Sequence, residues 1–514
     1  MNFLQLQFLI FLIATWILYY VAPHKFRWII LLLSSAFFYY KAGWQKMLFA
    51  AATCMIAYII SNIVEKIYND PRYQELDMSQ KKAKAKRWNI LGIAIIILLL
   101  IYSKIGQQLL DAFMKYNGKQ GGIMKIIIPL GISYYTFGVI GYMADVYWQK
   151  DKAEKNPLKL LLYMIYFPQI LQGPIPRHKK MAKQLAEPGK FNHRQFSFGL
   201  QRMLWGYFKK MVIADRFGIM VTTVYSDYQK YEGQVFVAII LCSVIQLYCD
   251  FSGCMDIALG ASETLGITLD ENFNRPFFSK TAAEFWRRWH ITLGTWFKDY
   301  IYMPMVISPK LIAISKKIKD KFGVKAAKRF MAIVPLSVVW ILTGLWHGTG
   351  KDYIIWGCYW GLLIILSTIF AQELKNINKK LGIDAKSDWW KRFQMVRTFV
   401  FFSIARAITG PGKGIAVKYI VKSILTKFNM HIWFDRTLFT LGVDRQDFWI
   451  GIVAIAILWF ISLKQEKGVK IREKVATFPL PVRWIIYYGV ILAVLIFGIY
   501  GPGYNASDFV YMKF

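Results

Sequence analysis

The sequence predicts an all-α integral membrane protein, with about 11 transmembrane helices and further re-entrant or short helices around a central tunnel. Three observations predict it. Of 514 residues, 56% are hydrophobic and 17% aromatic, a more apolar balance than soluble domains carry. Apolar runs of roughly twenty residues recur along the chain, each long enough to cross the hydrocarbon core. Basic residues gather between those runs instead of spreading evenly.

Taken in order, the apolar runs are 3–22, 26–41, 46–64, 88–103, 127–148, 232–249, 329–346, 352–370, 393–409, 447–463 and 482–500. The stretches 158–176 and 285–305 mix polar with apolar residues and read as shorter buried or re-entrant pieces. The first run has no basic residue before it and no small-residue cleavage site after it, so it is expected to stay as a helix. Neither a linker, a low-complexity tract nor a repeat relating the two halves interrupts the pattern, and residues 1–514 read as one multi-pass membrane domain.

Charge sets the orientation. Lysine and arginine number 65 against 30 acidic residues, a net charge of +35. The excess lies in KKAKAKR (81–87), KDKAEK (150–155), KKIKDKFGVKAAKR (316–329), KNINKK (375–380) and KQEKGVKIREK (464–474). The positive-inside rule puts such segments in the cytoplasm beside anionic headgroups, which leaves the N-terminus outside. The partner implied is the lipid bilayer, not nucleic acid, because no basic segment carries a fold of its own. The five cysteines (54, 242, 249, 254, 358) lie in or beside apolar runs without a CxxC pair, and read as small buried hydrophobes.

Three stretches punctuate the apolar runs with Pro, Gly and polar groups: PLGISYYTFG (129–138), YFPQILQGPIPR (166–177) and CDFSGCMDIALG (249–260). Irregular backbone at membrane depth is tolerated only where protein buries it or a wet cavity meets it, hence the expected tunnel.

Six histidines carry the candidate chemistry. His24, His178 and His193 stand near basic residues in short polar connections, where solvation is expected, and His431 is similar. His347, in TGLWHGTG, ends a long apolar run. Burial disfavours its charged form, and a neutral imidazole can serve as a general base; a satisfied structural histidine is the competing reading. Gly344, Gly348 and Gly350 permit close approach around it. His290 lies in EFWRRWHITLGTWFKDYIYMP, where Glu284 precedes Arg287 and Arg288 by three and four residues. That stretch fits either an interfacial helix or a functional segment. No HExxH spacing exists and no Cys or His is positioned with these two, so no metal is expected. Asp250 either faces the tunnel or pairs with an arginine such as Arg288. Arg287 and Arg288 either bind a phosphate or brace their helix. Trp286, Trp289 and Trp346 are read as tunnel walls and candidate substrate contacts.

The run from Cys249 through RWHITLGTWFKDYIYMP to Pro304 resembles the core signature of the membrane-bound O-acyltransferase family. LTGLWHGTGKDYIIWGCYWG (342–361) is similar to that family's Trp-His-Gly segment, and IPLGISYYTFGVIGYMADVYW and YFPQILQGPIPR to two earlier stretches; the core signature spans 127–370. FFSIARA (401–407) and the ending DFVYMKF resemble the bacterial alginate O-acetyltransferase branch. The resemblance implies that His347 is the catalytic histidine and His290 the second functional position. It implies an acyl group, acetyl first, moved from a cytoplasmic thioester to a hydroxyl of an extracytoplasmic polysaccharide or partner protein. Acyl-CoA or the phosphopantetheine of an acyl carrier protein is the implied donor, with no tightly bound cofactor. A serine-hydrolase-like partner outside the membrane, the bacterial cell membrane as location and a ring of helices around a tunnel are implied with it. TGKDY after the Trp-His-Gly departs from the alginate branch and leaves the acceptor open. D-alanyl transfer to teichoic acid is the alternative within the family, and a small-solute transporter the alternative outside it.

Overall fold

The computed structural model describes residues 1–73, 75–116, 127–187, 189–348, 350–412 and 414–500. Among them the secondary structure is helical, relieved by one isolated antiparallel bridge between Phe273 and Trp289. The C-terminal DFVYMKF lies outside the described residues. Two compact units divide the chain: Met1–Met203 with Met255–Asp270, and Leu204–Cys254 with Glu271–Phe514.

Seven helices are long and apolar enough to cross a membrane among the described residues. They are Trp44–Asn69, Met78–Tyr116, Gln234–Thr264, Pro309–His347, Lys351–Ile369, Arg445–Glu466 and Leu480–Phe497. Large apolar side chains on them, such as Leu98, Ile457 and Leu495, stay exposed, as they would facing lipid. The expected count of about 11 is not reached by length and hydropathy. Leu6–Val21 and Ile132–Tyr147 have 16 residues each and Arg27–Tyr40 has 14, so at about 1.5 Å per residue none matches the hydrocarbon thickness alone. Asp388–Thr409 has 22 residues but is broken up by Lys391, Arg392, Arg397 and Arg406.

In the first unit, Trp44–Asn69 and Met78–Tyr116 pack together and both receive Ile132–Tyr147. Nearly every residue of that last helix is buried, matching a sequence apolar all round. Two of the three expected breaks are real. The chain enters Ile132–Tyr147 through Gly131 at φ +65°, and YFPQILQGPIPR runs from a four-residue helix, Phe167–Ile170, to Arg177 with no further helix. The third is not: CDFSGCMDIALG lies within the unbroken helix Gln234–Thr264. Its glycines serve close packing instead. A methyl at Gly253 would come within 2.9 Å of the Gly206 carbonyl, and one at Gly260 within 2.6 Å of the Gly199 carbonyl.

The basic segments also differ from expectation in form. KKAKAKR lies in the first turns of Met78–Tyr116, and KKIKDKFGVKAAKR within Pro309–His347, which kinks at Gly323 (φ +83°). Lysine and arginine are good helix formers, so apolar helices extend into charged ends without a loop between.

Candidate active site

The site is built on a helical hairpin of the second unit. Pro309–His347 ends at its histidine, and Lys351–Ile369 returns against it. Spacings of three and four residues put Trp340, Gly344 and His347 on one face of the first helix and Tyr353, Trp356 and Trp360 on one face of the second. The glycines do what the sequence suggested. A methyl at Gly344 would sit 2.6 Å from the Tyr353 carbonyl oxygen, and one at Gly348 would collide with the Tyr353 ring.

His347 is 5% exposed. Its ring centroid lies 4.7 Å from that of Trp346, 4.8 Å from Trp356 and 6.4 Å from Tyr353. Trp286 enters from the short helix Ala282–Arg288, whose first turn is capped by the Thr281 hydroxyl accepting from the Glu284 N–H. The Trp286 ring meets Trp340 at 4.9 Å, Trp360 at 5.2 Å and Trp356 at 5.5 Å, mostly edge to face. These rings form an aromatic wall on one side of the imidazole.

His290 follows that helix in a left-handed conformation, φ +47°, which a non-glycine residue adopts only under local constraint. The constraint is visible. Ile291 N–H donates to the Asn272 carbonyl and Asn274 N–H to the Arg288 carbonyl, pinning the chain on both sides of the turn. The Asn272 side-chain oxygen accepts from Thr292 N–H and hydroxyl at 3.0 Å each and lies 3.2 Å from His290 Nδ1. At 1% exposure the ring packs edge-on to Phe251 at 4.9 Å, and burial pulls its pKa down to about 3, so it is neutral.

A small cavity of about 40 Å³ reaches His347. Its walls are Leu247, Trp286, Trp289, Tyr353, Trp356 and Phe402, with Arg406 and Thr409 supplying polar groups beside the imidazole. The space holds a few waters. His290 does not line it; the two histidines are joined through Trp346, whose ring is 5.8 Å from His290.

Of the residues singled out in the sequence, His347, Trp286 and Trp289 meet at this cavity, and Trp346 and His290 back it. Arg288 does not reach it: its guanidinium bridges Glu284 at 2.8 Å and Glu466 at 2.9 Å, in a cluster that Arg275 joins. Asp250, 1% exposed, pairs with Lys210 at 2.5 Å rather than with Arg288. His178 is a further correction. It is 6% exposed, with Nδ1 2.8 Å from Asp151 and Tyr142 and Tyr163 against its ring. Its three basic neighbours in sequence suggested solvation, whereas a carboxylate 27 residues upstream supports burial. His24, His193 and His431 are exposed, as expected. Sequence reasoning missed Tyr353, Phe402, Arg406 and Thr409. The one available signal was an arginine inside an apolar run, FFSIARA.

Helices of membrane length and an imidazole lining an aromatic-walled cavity define a multi-pass membrane protein with a proton-carrying group at an internal site. Residues 149–315 match MBOAT, the membrane-bound O-acyltransferase family, a span that takes in His290 and stops short of His347. The probable alginate O-acetylase AlgI of Pseudomonas aeruginosa is 30% identical over 403 residues, 76% of this chain and 68% of that protein. The peptidoglycan O-acetyltransferase of Helicobacter pylori is 28% identical over 379 residues, 68% of this chain and 66% of its own length. The teichoic acid D-alanyltransferase of Bacillus subtilis is 30% identical over 290 residues, 54% of this chain and 67% of its own length. The chain belongs to the membrane-bound O-acyltransferase family and is an O-acyltransferase.

Proposed function

We propose that the protein moves a small acyl group, acetyl first, from a cytoplasmic thioester to a hydroxyl of a cell-envelope polysaccharide or of a partner that relays it. The observation that carries this reading is the imidazole of His347 lining a small, aromatic-walled cavity. An imidazole at the edge of such a cavity accepts a hydroxyl proton as that oxygen attacks a thioester carbonyl. His290, one ring removed and neutral, orients Trp346 and the wall behind the base. Alginate and peptidoglycan O-acetylation by relatives support acetyl and a polysaccharide acceptor. D-alanyl transfer is the second reading, favoured by the Bacillus subtilis relative over the shorter span.

The donor is acyl-CoA or a carrier-protein phosphopantetheine arm, drawn to the lysine- and arginine-rich helix ends by their charge. With those ends cytoplasmic, the protein sits in the bacterial cell membrane with its N-terminus outside, and an extracytoplasmic serine-hydrolase-like partner receives the group. The cavity is smaller than an acyl-thioester arm requires, so side chains give way on binding and the tunnel is a property of the loaded state.

The test is thioester consumption by the purified full-length protein in nanodiscs, with radiolabelled acetyl-CoA and acetyl-carrier protein offered separately. Replacing His347 by Ala is expected to lower turnover about 100- to 10,000-fold without loss of folded protein. Wild-type turnover in a folded H347A protein refutes the assignment.

A further inference from the structure

Arg406 stands in the same cavity as His347, one helical turn beyond Phe402. Its Nε donates to the Ser243 hydroxyl at 2.7 Å, and Nη1 approaches the Thr409 hydroxyl at 3.5 Å. Ser243 is itself fully buried, so one edge of the guanidinium is clamped by a fixed side chain. Among the described residues its side-chain partners are these two hydroxyls and not a carboxylate. Two buried cations of the same unit are met by carboxylates instead, Lys210 by Asp250 and Asp215 and Arg216 by Asp447, while Lys209 donates to the Ser252 hydroxyl. A guanidinium kept beside a base, inside aromatic walls and without a counter-charge, is suited to an anion that exists only while a ligand is bound.

We propose that Arg406 is the oxyanion donor of the acyl-transfer reaction, its outer N–H groups binding the thioester carbonyl oxygen and the negative charge that develops on it. The inference rests on the acyltransferase reading of the His347 cavity and adds the partner that this reading lacks, since His290 does not line the cavity. In the forward step the acceptor oxygen bonds to the carbonyl carbon, its proton passes to His347, and the carbonyl π pair moves onto oxygen beside Arg406. On collapse that pair re-forms the carbonyl, the C–S bond breaks, its electrons leave with sulfur, and the proton on His347 passes to the thiolate. No oxidant or further reactant enters.

The experiment compares wild type with R406A, R406K and H347A in nanodiscs, using acetyl-CoA and the phosphate-free thioester acetyl-pantetheine. R406A is expected to lose about 100- to 1,000-fold in kcat with both donors, while KM for each moves far less. R406K is expected to recover part of the rate, because an ammonium supplies the charge without the fork. Millimolar guanidinium chloride is expected to raise the R406A rate and leave H347A unchanged. S243A, which frees the clamped edge and keeps the charge, is expected to lose less than R406A and serves where R406A does not fold. A KM effect confined to acetyl-CoA places Arg406 on a donor phosphate and overturns the proposal. So does a rate loss that matches lost folded protein and is not rescued by guanidinium. Turnover that depends on His347 but ignores Arg406 defeats this inference alone; thioester consumption independent of His347 defeats the acyltransferase assignment and this inference together.

Discussion

The second unit holds two cationic centres, Lys210 buried and Arg406 half-buried, that differ in how their charge is met. Lys210, on the π-helical turn Phe208–Ala214, is 2% exposed and lies 2.5 Å from Asp250 and 2.7 Å from Asp215. Its neighbour Lys209 donates to the Ser252 hydroxyl at 2.9 Å. Arg406 touches hydroxyls and a cavity. At the first centre the Lys210 charge is answered by two carboxylates from within the protein, so nothing needs to arrive and the cluster acts as a fastener between helices. At the second, an aromatic wall surrounds a base and a cation that the fold leaves available to a substrate. What separates Lys210 from Arg406 is the partner, two carboxylates in one case and hydroxyls at a cavity in the other.

Replacing Lys210 by Met should have the largest effect on stability. It leaves two carboxylates facing each other without their cation, and removal of one member of a buried ion pair costs about 3–5 kcal/mol. Little thermostable protein should survive detergent extraction, and adding Asp250→Leu should restore part of it; a K210M protein that melts with wild type would break the comparison.

Acid should have the next effect, through His290. Its folded pKa of about 3 lies below the ordinary value of 6.5, so between those values the folded ring stays neutral while the unfolded ring takes a proton. Stability therefore falls as pH drops below the ordinary value, by up to about 1.4 kcal/mol per pH unit, until the folded pKa is reached. Melting temperatures measured at neutral and mildly acidic pH should diverge more for wild type than for H290N, and equal acid sensitivity would count against a neutral buried ring.

Arg288 is a case between the two centres, carboxylate-paired but one-fifth exposed. Arg288→Gln should cost about 1 kcal/mol, reduced by solvent screening, read as a small fall in melting temperature. Arg406→Gln should disturb the fold least, by about 1 kcal/mol for its hydroxyl contacts to Ser243 and Thr409, while removing most of the activity. A large melting shift in R406Q would move Arg406 into the same class as Lys210.

The helical class, the His347 position and the aromatic walls were legible because each is written locally: apolar length, a ring at a helix end, tryptophans at helical spacing. Partnerships across sequence were not. Asp250 was visible as an expensive carboxylate in an apolar run, but its cation lies 40 residues earlier, in FKKMVIAD, not at Arg288. His178 read as solvated because its neighbours are lysines, and Asp151 lay out of view. Arg406 stands out within FFSIARA only as an arginine in an apolar run, since nothing local says that residues 406 and 347 share a cavity. The break expected at CDFSGCMDIALG failed because glycine permits two opposite things, a kink or a tight helix contact, and the neighbouring backbone decides.

The glycine-lined seam between the two hairpin helices fixes how the cavity can grow. Gly344 abuts the Tyr353 carbonyl, and a methyl at Gly357 would stand 2.6 Å from the Trp340 carbonyl, so main chain rests on main chain and neither helix has slack. The imidazole is thus mounted on an unyielding seat. Under the proposed reaction, admission of a thioester falls to the wall that carries Phe402 and Arg406, and the imidazole stays in place while the rest of the chamber opens toward it.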